Sequence, residues 1–403
     1  MTQCRTNKAV KMQMVIYLLL FVVSTFTSCT RKDLFLRIDQ SEIRININDI
    51  RLDMLWGEDW RSQLLYQWND DVHGRLGYTE PEWIRATIYD LDSKSFSRTG
   101  SFNRNFTRAG GRVSLTAGQW YDMLFYNADT EYIIFGQKDL NSDYMATTRS
   151  TSMNVYTRAT EDDADQPSRY HSDYNQPDEL FGSFIDDMQI SEDPDDYEQM
   201  IDSLGSIVNV YNIETTLQPY TFIYLLQVVI VNNTDEKGAR LVGGKGVTVT
   251  GLSQGVELFS RRTHSESVSI TSEDVKPTQS LKNVELPNGV TTDCEVFASR
   301  ILTWGLPDVT PLMERTKAST EVIDENFIGV GLVTRSGYVY NYTADITEQM
   351  HQRPTGGVIT IIVDANEIDD KYIDKPQNPT TGGGGFNASV ENWGNEYNAS
   401  VTI

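Results

Sequence analysis

Cysteine is nearly missing from this 403-residue chain, which has three, at positions 4, 29 and 294. So small a supply excludes a disulfide framework, and an apolar interior must hold the fold. Histidine is equally thin: His73, His171, His264 and His351 lie far apart, and none stands at a spacing that builds a zinc site. Positive charge is also short, since 34 Lys and Arg face 57 Asp and Glu for a net charge of −23. That balance excludes nucleic acid as a partner, because phosphate binding needs a basic face that releases counterions. No Gly-x-Ser-x-Gly elbow, phosphate loop or dinucleotide fingerprint occurs, and Gly382 to Gly385 reads as a slack loop. What remains is ordinary globular composition, with 39% hydrophobic residues and 28 glycines. The length favours two domains over one core.

The first residues read as a processing signal. Arg5, Lys8 and Lys11 precede an apolar run from Val15 to Val23, and no acid occurs before Asp33. The run falls short of the roughly 20 residues that a membrane-crossing helix needs, so it reads as an export leader. It closes on Phe26-Thr27-Ser28-Cys29, which resembles a bacterial lipobox. In that motif the cysteine becomes the first mature residue and its thiol carries diacylglycerol, with fatty acids such as palmitate. Residues 1–28 are therefore expected to be a lipoprotein signal peptide, and residues 29–40 a lipidated tether. An acidic body is repelled by an anionic membrane surface, so attachment rests on the acyl chains, each buried CH₂ adding about 0.8 kcal/mol. Cys294 is then alone between Asp293 and Glu295, acids that raise a thiol pKa, and it reads as a structural thiol.

From residue 41 the dominant pattern is alternation of period two, the mark of antiparallel sheets with one wet face. Ile43, Ile45 and Ile47 alternate with Arg44, Asn46 and Asn48, and Ile84, Ala86 and Ile88 with Arg85, Thr87 and Tyr89. Further strands are predicted at Val113–Leu115, 119–127, 153–157, 246–250, 268–270, 297–304, 328–334, 338–343, 358–364 and 399–403. The run from Tyr220 to Val231 carries no charge and is expected to be a long strand buried on both faces. Arg335-Ser336-Gly337 predicts a three-residue hairpin loop with a left-handed glycine. Helix is expected in two places: after Asp193-Pro194, through Tyr197, Met200, Ile201 and Leu204 to Gly205, and over Thr347 to Gln352.

Charge is unevenly spread. Residues 161–202 hold fifteen acids against the single base Arg169 and are expected to form an exposed acidic connection with one helix in it. A boundary near residue 212 then separates an N-terminal domain, 41–212, from a C-terminal domain, 213–403. From Ser93 to Tyr121 the imbalance reverses, with Lys94, Arg98, Arg104, Arg108 and Arg112 and no acid. A solvated hairpin accounts for it; the functional reading makes Arg98, Arg104 and Arg108 contacts for an acidic partner.

Catalytic signals are weak. Carboxylates are too numerous for any pair to stand out as a glycosidase dyad. Asp364-x-Asn366 with Asp369-Asp370 faintly resembles a calcium loop, but Ile368 takes a ligand position and the turn glycine is missing, so a polar turn is expected. Trp56, Trp60, Trp68 and Trp83 fall within one short stretch, as core aromatics or as a platform for sugar rings.

Taken in order, several short motifs resemble the Bacteroidetes-type fimbrillin-associated lipoproteins, close to the minor-fimbrium anchor subunits. They are Cys29-Thr30-Arg31-Lys32-Asp33-Leu34, Asp178-Glu179-Leu180-Phe181-Gly182, Thr303-Trp304-Gly305, Gly337-Tyr338-Val339-Tyr340, Asp345-Ile346-Thr347 and Asn392-Trp393-Gly394. The resemblance implies a mainly all-β protein of two tandem transthyretin-like, fimbrillin-like β-sandwich domains with one or two short helices. It further implies a lipid-anchored, non-enzymatic protein at the outer membrane, facing outward and free of cofactors and metals. Its partners would be fimbrial subunits or other surface proteins, joined by β-strand complementation in a pilus or in cell adhesion. A surface glycan-binding lipoprotein and, behind it, a β-sandwich glycosidase are the other readings. The anchor has a direct test: Cys29→Ala is expected to move the protein from the membrane pellet to the soluble fraction of lysed cells, and continued pelleting would refute it.

Overall fold

The computed structural model describes residues 41–48, 60–107, 109–149, 173–201, 205, 207–272, 275–308 and 325–375. Cys29, Arg108, the strands expected at 153–157 and 399–403, and Asn392-Trp393-Gly394 lie outside them. The strands begin with β1 (Ser41–Asn48), β2 (Trp83–Leu91), β3 (Arg98–Thr107), β4 (Gly111–Leu115), β5 (Trp120–Asn127), β6 (Ile133–Gln137), β7 (Tyr144–Thr148) and β8 (Asp173–Asn175). They continue with β9 (Phe181–Gln189), β10 (Glu198–Ile201), β11 (Ile207–Thr216), β12 (Gln218–Pro219), β13 (Phe222–Val231), β14 (Thr234–Asp235), β15 (Gly238–Ala239) and β16 (Leu241–Ser253). The last are β17 (Gly255–Glu257), β18 (Ser267–Ser272), β19 (Lys276–Glu285), β20 (Thr291–Thr303), β21 (Phe327–Thr334), β22 (Val339–Asp345) and β23 (Gly357–Asp364). Among the described residues the helices are short: α1 (Trp60–Gln63), α2 (Asp70–His73), α3 (Thr347–Gln352) and α4 (Asp370–Ile373). The fold is all-β.

The chain divides into two compact units, and it crosses between them more than once. Unit 1 takes its described residues from β1, Glu82–Ala128 and Ser183–Leu217; unit 2 takes 60–81, Asp129–Gly182 and the chain from Gln218 on. The last crossing lies near the boundary expected around residue 212, whereas residues 60–81 and 129–182 belong to unit 2 ahead of it.

Unit 1 contains one sheet in the order β10-β11-β1-β4 and another containing β9-β5-β2-β3. β1 runs parallel to β11, with Ile45 opposite Ile213, and antiparallel to β4, with Ile43 opposite Val113. In β5 every residue from Tyr121 to Asn127 is buried, the polar Asp122 among them.

The acidic stretch differs from its expectation. Asp193 does cap a helical turn, accepting from the amide of Asp195, but the turn is a 3₁₀ helix that ends at Asp196. Glu198 to Ile201 then pair with β11 as β10, Met200 opposite Val208. One turn of helix cannot bury its apolar residues, whereas an edge strand places Met200 and Ile201 on opposite faces. Phe181 to Gln189 likewise form a strand, its first residues buried and its acids Asp186 and Asp187 exposed at the far end.

Unit 2 is a sandwich. The sheet β19-β20-β13-β23 and the sheet β22-β21-β16-β18-β8 supply one core, to which Phe222, Tyr224, Leu226, Val228 and Ile230 of β13 contribute alternate side chains. The hairpin from β21 to β22 turns on Gly337, at φ +83°, as the sequence predicted. The carboxylate of Asp364 accepts from the backbone amide of Asn366 and from the side chain of Asn232, so the calcium-like motif is a polar turn. Cys294 is buried, and burial first, then Asp293 and Glu295, push its thiol pKa up.

The remaining face of β13 is equally dry: Ile223, Leu225 and Val229 are fully buried. Beside them on this face stands Gln227, 1% exposed. Its Oε1 accepts from the amide of Leu65 at 3.1 Å, and its Nε2 donates to the carbonyl of Gln63 at 3.0 Å and to Oγ1 of Thr360 at 2.7 Å. The segment that begins with α1 therefore lies over the outside of this sheet, with Trp60, Leu64 and Tyr66 buried in it. Buried backbone groups that lose their partner cost about 1–3 kcal/mol each. Gln227→Leu keeps the volume and removes the bonds, and is expected to lower the stability of the protein by about 2–4 kcal/mol in urea denaturation; an unchanged midpoint would refute this role.

Candidate functional site: an open sheet edge

A sheet edge presents unpaired N–H and C=O groups, so each long edge must be covered, distorted or used. The edges β4, β6, β8, β10, β12 and β17 have five residues or fewer. Of the long ones, β23 is covered: Gln349 of α3 donates to the carbonyl of Thr360 and accepts from its amide, both at 2.9 Å. β19 is distorted, with Pro277 in it and register shifts at Pro277/Ser280 and Leu281/Val284. At the start of β22 the rings of Tyr338 and Tyr340 pack on Tyr372, 6.0 and 5.3 Å away.

β3 is nearly free of these devices, its one register shift lying at its very start, where Asp90 and Leu91 of β2 face Gly100 and Arg98. It is ten residues long, has no proline, and pairs with β2 in unbroken register from Gly100 opposite Asp90 to Thr107 opposite Trp83. Among the described residues no strand pairs with its other side. Thr99, Ser101, Asn103, Asn105 and Thr107 form its exposed face, and Phe102 and Phe106 alternate with them toward the interior. The polar face suits an edge that stays soluble until a second strand arrives, because the backbone, not the side chains, supplies the bonding.

The basic residues singled out in the sequence take different places. Arg98, at the start of β3, turns inward: its Nε donates to Oδ2 of Asp122 at 2.6 Å, and its guanidinium lies over the rings of Tyr89, at 5.0 Å, and Phe184, at 5.7 Å. Oδ1 of Asp122 accepts from the amide of Asp187 at 3.0 Å. Such a pair, removed from water and saturated with bonds, ties β3 to β5 and β9 and leaves Arg98 little to offer a partner. Arg104 is exposed, its guanidinium 5.9 Å from the ring of Phe102. The structure thus separates two of the three candidates, and Arg108 lies outside the described residues.

Sequence reasoning missed the acids that Arg98 meets, because they come from two strands far apart in the chain. Asp122, Asp186 and Asp187 bring carboxylate oxygens within 4.8 Å of one another, close enough for a cation. Arg98 already supplies the countercharge. Asp186 has its pKa raised, by burial first and then by the charges of Asp122 and Asp187.

Two of the motifs behind the family resemblance, Asp178 to Gly182 and Thr303 to Gly305, serve as fasteners within unit 2. Asp178 accepts from the amides of Glu131, at 2.8 Å, and Tyr132, at 2.6 Å; Glu179 accepts from the amide of Thr79 and from Arg300, each at 2.5 Å. Phe181 meets Tyr78 edge-on at 5.3 Å. Trp304 is fully buried and donates from Nε1 to Oγ1 of Thr148 at 2.7 Å. Of the clustered tryptophans, Trp60 is buried, Trp68 half-buried and Trp83 exposed by 54%, while Trp56 lies outside the described residues.

The family described as a domain of unknown function, DUF5119, matches residues 64–273. No curated protein matches the chain. Among solved structures the chain is similar to a candidate adhesin of Bacteroides ovatus, at 18% identity and a TM-score of 0.45, over 87% of this chain and 98% of that one. It is also similar to the fimbrial anchor protein Mfa2 of Porphyromonas gingivalis, at 9% identity and a TM-score of 0.38, over 80% of this chain and 90% of that one.

The acid cluster gives a signed expectation. An acid whose pKa is raised by folding holds its proton more tightly in the native state, so its penalty is absent at low pH and grows as pH rises through the raised value. Asp186→Asn is expected to raise the urea midpoint at neutral pH, and the gain to vanish below about pH 4, where aspartate is protonated in either state. A gain that persists in acid would show that charge repulsion is not its source.

Proposed function

The chain belongs to the DUF5119 family, and from that premise we propose that it is a non-enzymatic, adhesion-type protein of the cell surface that joins other chains by accepting a strand along β3. Lipid on Cys29 holds it to the outer membrane, and its partners are fimbrial subunits or other surface proteins, as in the anchor or accessory part of a fimbrium. The observation that carries the reading is the long edge of β3, in regular register from Gly100 to Thr107 and with no strand on its other side among the described residues.

The chemistry of the edge describes what it accepts. A strand beside β3 continues a sheet whose one side carries Phe102 and Phe106 with the exposed Arg104 between them and whose other side carries Thr, Ser and Asn. A donor that alternates apolar and polar residues fits both sides, with main-chain bonds supplying affinity and the alternate side chains supplying register. Nothing in this process breaks a covalent bond or needs a cofactor, which agrees with the absence of nucleophile and zinc motifs from the sequence. The fixed Arg98–Asp122 pair keeps the end of the acceptor strand in place before the partner arrives, so less ordering is left for association.

The test places a photo-reactive amino acid at Asn105, exposed on β3, and at Lys282, exposed on the bulged edge β19. Irradiation of intact cells is expected to join a second envelope protein to the chain at Asn105 and not at Lys282. Capture at Lys282 alone, or at neither site, would overturn the reading.

A further inference from the structure

On the outer side of the sheet that contains β13, the turn carrying α2 stands beside β19 and bounds a cleft of about 580 Å³. Arg61, Gln67, Trp68, Asp70, Asp71 and Thr278 are among its lining residues. That volume falls within the usual range of small-molecule sites, but the composition does not: polar groups outnumber the apolar Trp68, Val72 and Pro277, where an apolar ligand would require the opposite.

The indole is fixed before any ligand comes. Its Nε1 donates to the carbonyl of Gly74 at 2.9 Å, and its ring lies 5.1 Å from His73 and 6.2 Å from Tyr66, two buried rings that are themselves 5.9 Å apart. The turn beneath it is also held. Asn69 caps α2 by accepting from the amide of Asp71 at 3.0 Å, and Nζ of Lys276 donates to the carbonyl of Val72 at 2.9 Å. A half-buried tryptophan with a locked edge and a set of polar neighbours is a prepared plate, and preparation lowers the entropy lost on binding.

A pyranose ring has the matching chemistry. Its C–H face meets the negative face of an indole, and its hydroxyls donate and accept together. The lining offers acceptors only in Asp70 and Asp71, donors only in Arg61, and both in Gln67 and Thr278. Two carboxylates against one guanidinium disfavour phosphate, sulfate and uronate groups. We propose that this cleft binds a neutral oligosaccharide, with Trp68 as the stacking residue. The inference stands apart from strand addition at β3 and is tested separately.

The experiment titrates the purified full chain in detergent with mannotriose, maltotriose, chitotriose and N-acetyllactosamine, and with a sulfated heparin disaccharide as the anionic control, by saturation-transfer NMR and calorimetry. At least one neutral sugar is expected to bind with a Kd in the roughly 0.1–10 mM range of shallow polar sites. Trp68→Ala is expected to weaken it about tenfold or more, at unchanged circular dichroism. Thr278→Val and Asp70→Asn, on the rim, are expected to weaken it severalfold and cover the case in which Trp68→Ala does not fold. Binding of the sulfated disaccharide alone, no binding of any neutral sugar, or undiminished affinity in the folded variants would overturn the proposal.

Discussion

A strand of ten residues without a charge must be kept from water on both sides, and unit 2 is organised around that need. The even-numbered side chains of β13 enter the core shared with the opposing sheet. On the other side Ile223, Leu225 and Val229 are fully buried, and Gln227 fixes the segment from α1 onward by bonding its backbone. Burial of each such side chain contributes about 1.5–3 kcal/mol, so the strand supplies a large part of the drive to fold. The polar exception is what sets the position of the cover: an apolar residue at 227 would tolerate many placements of the chain above it, whereas an amide with three partners tolerates few.

The same need explains why charges in unit 2 appear in short, well-paired groups. Arg240, buried, donates to the carbonyls of Ala365, at 3.0 Å, and Ile368, at 2.8 Å, and pairs with Asp235 and Asp370. Arg335 bonds to Asp235 and Asp374 and holds both carboxyls down to about 2. These pairs bind the turn after β23 to the hairpin around β14 and β15 and close that end of the sandwich without a disulfide. In unit 1 Arg98 and Asp122 have a similar part, tying an edge strand to the strands behind it.

Edges are the counterpart of cores in a protein of sheets. Covering one with Gln349 and breaking another with Pro277 and two bulges leaves the polar β3 and the shorter β22 as the long regular edges. The distinction rests on backbone bonding and not on residue type, so neither catalytic motifs nor basic residues mark it. Arg98 drew notice as one of five positive charges in a row and turned out to face inward; the exposed Thr, Ser and Asn between the charges are what a docking strand would meet.

Much of this architecture was legible in the residues. Alternation of period two predicted β1, β2, β21 and β23, because successive side chains of a strand point to opposite faces of its sheet. The absence of charge from Tyr220 to Val231 predicted burial on both faces, since an unpaired charge there would be prohibitive. Other features were decided only in three dimensions. The Asp193-Pro194 start promised a helix, but with too few turns to bury its face it gave way to pairing with β11. The meeting of Arg98 with Asp122, Asp186 and Asp187, the bonds of Gln227 to the chain around Leu65, and the freedom of the β3 edge all depend on which strands become neighbours. Local sequence determined the period and the dry faces, because those follow from a residue's own chemistry; tertiary structure decided partners and edges, because hydrogen bonding between distant strands follows from closure of the sheets and leaves no trace in any one segment.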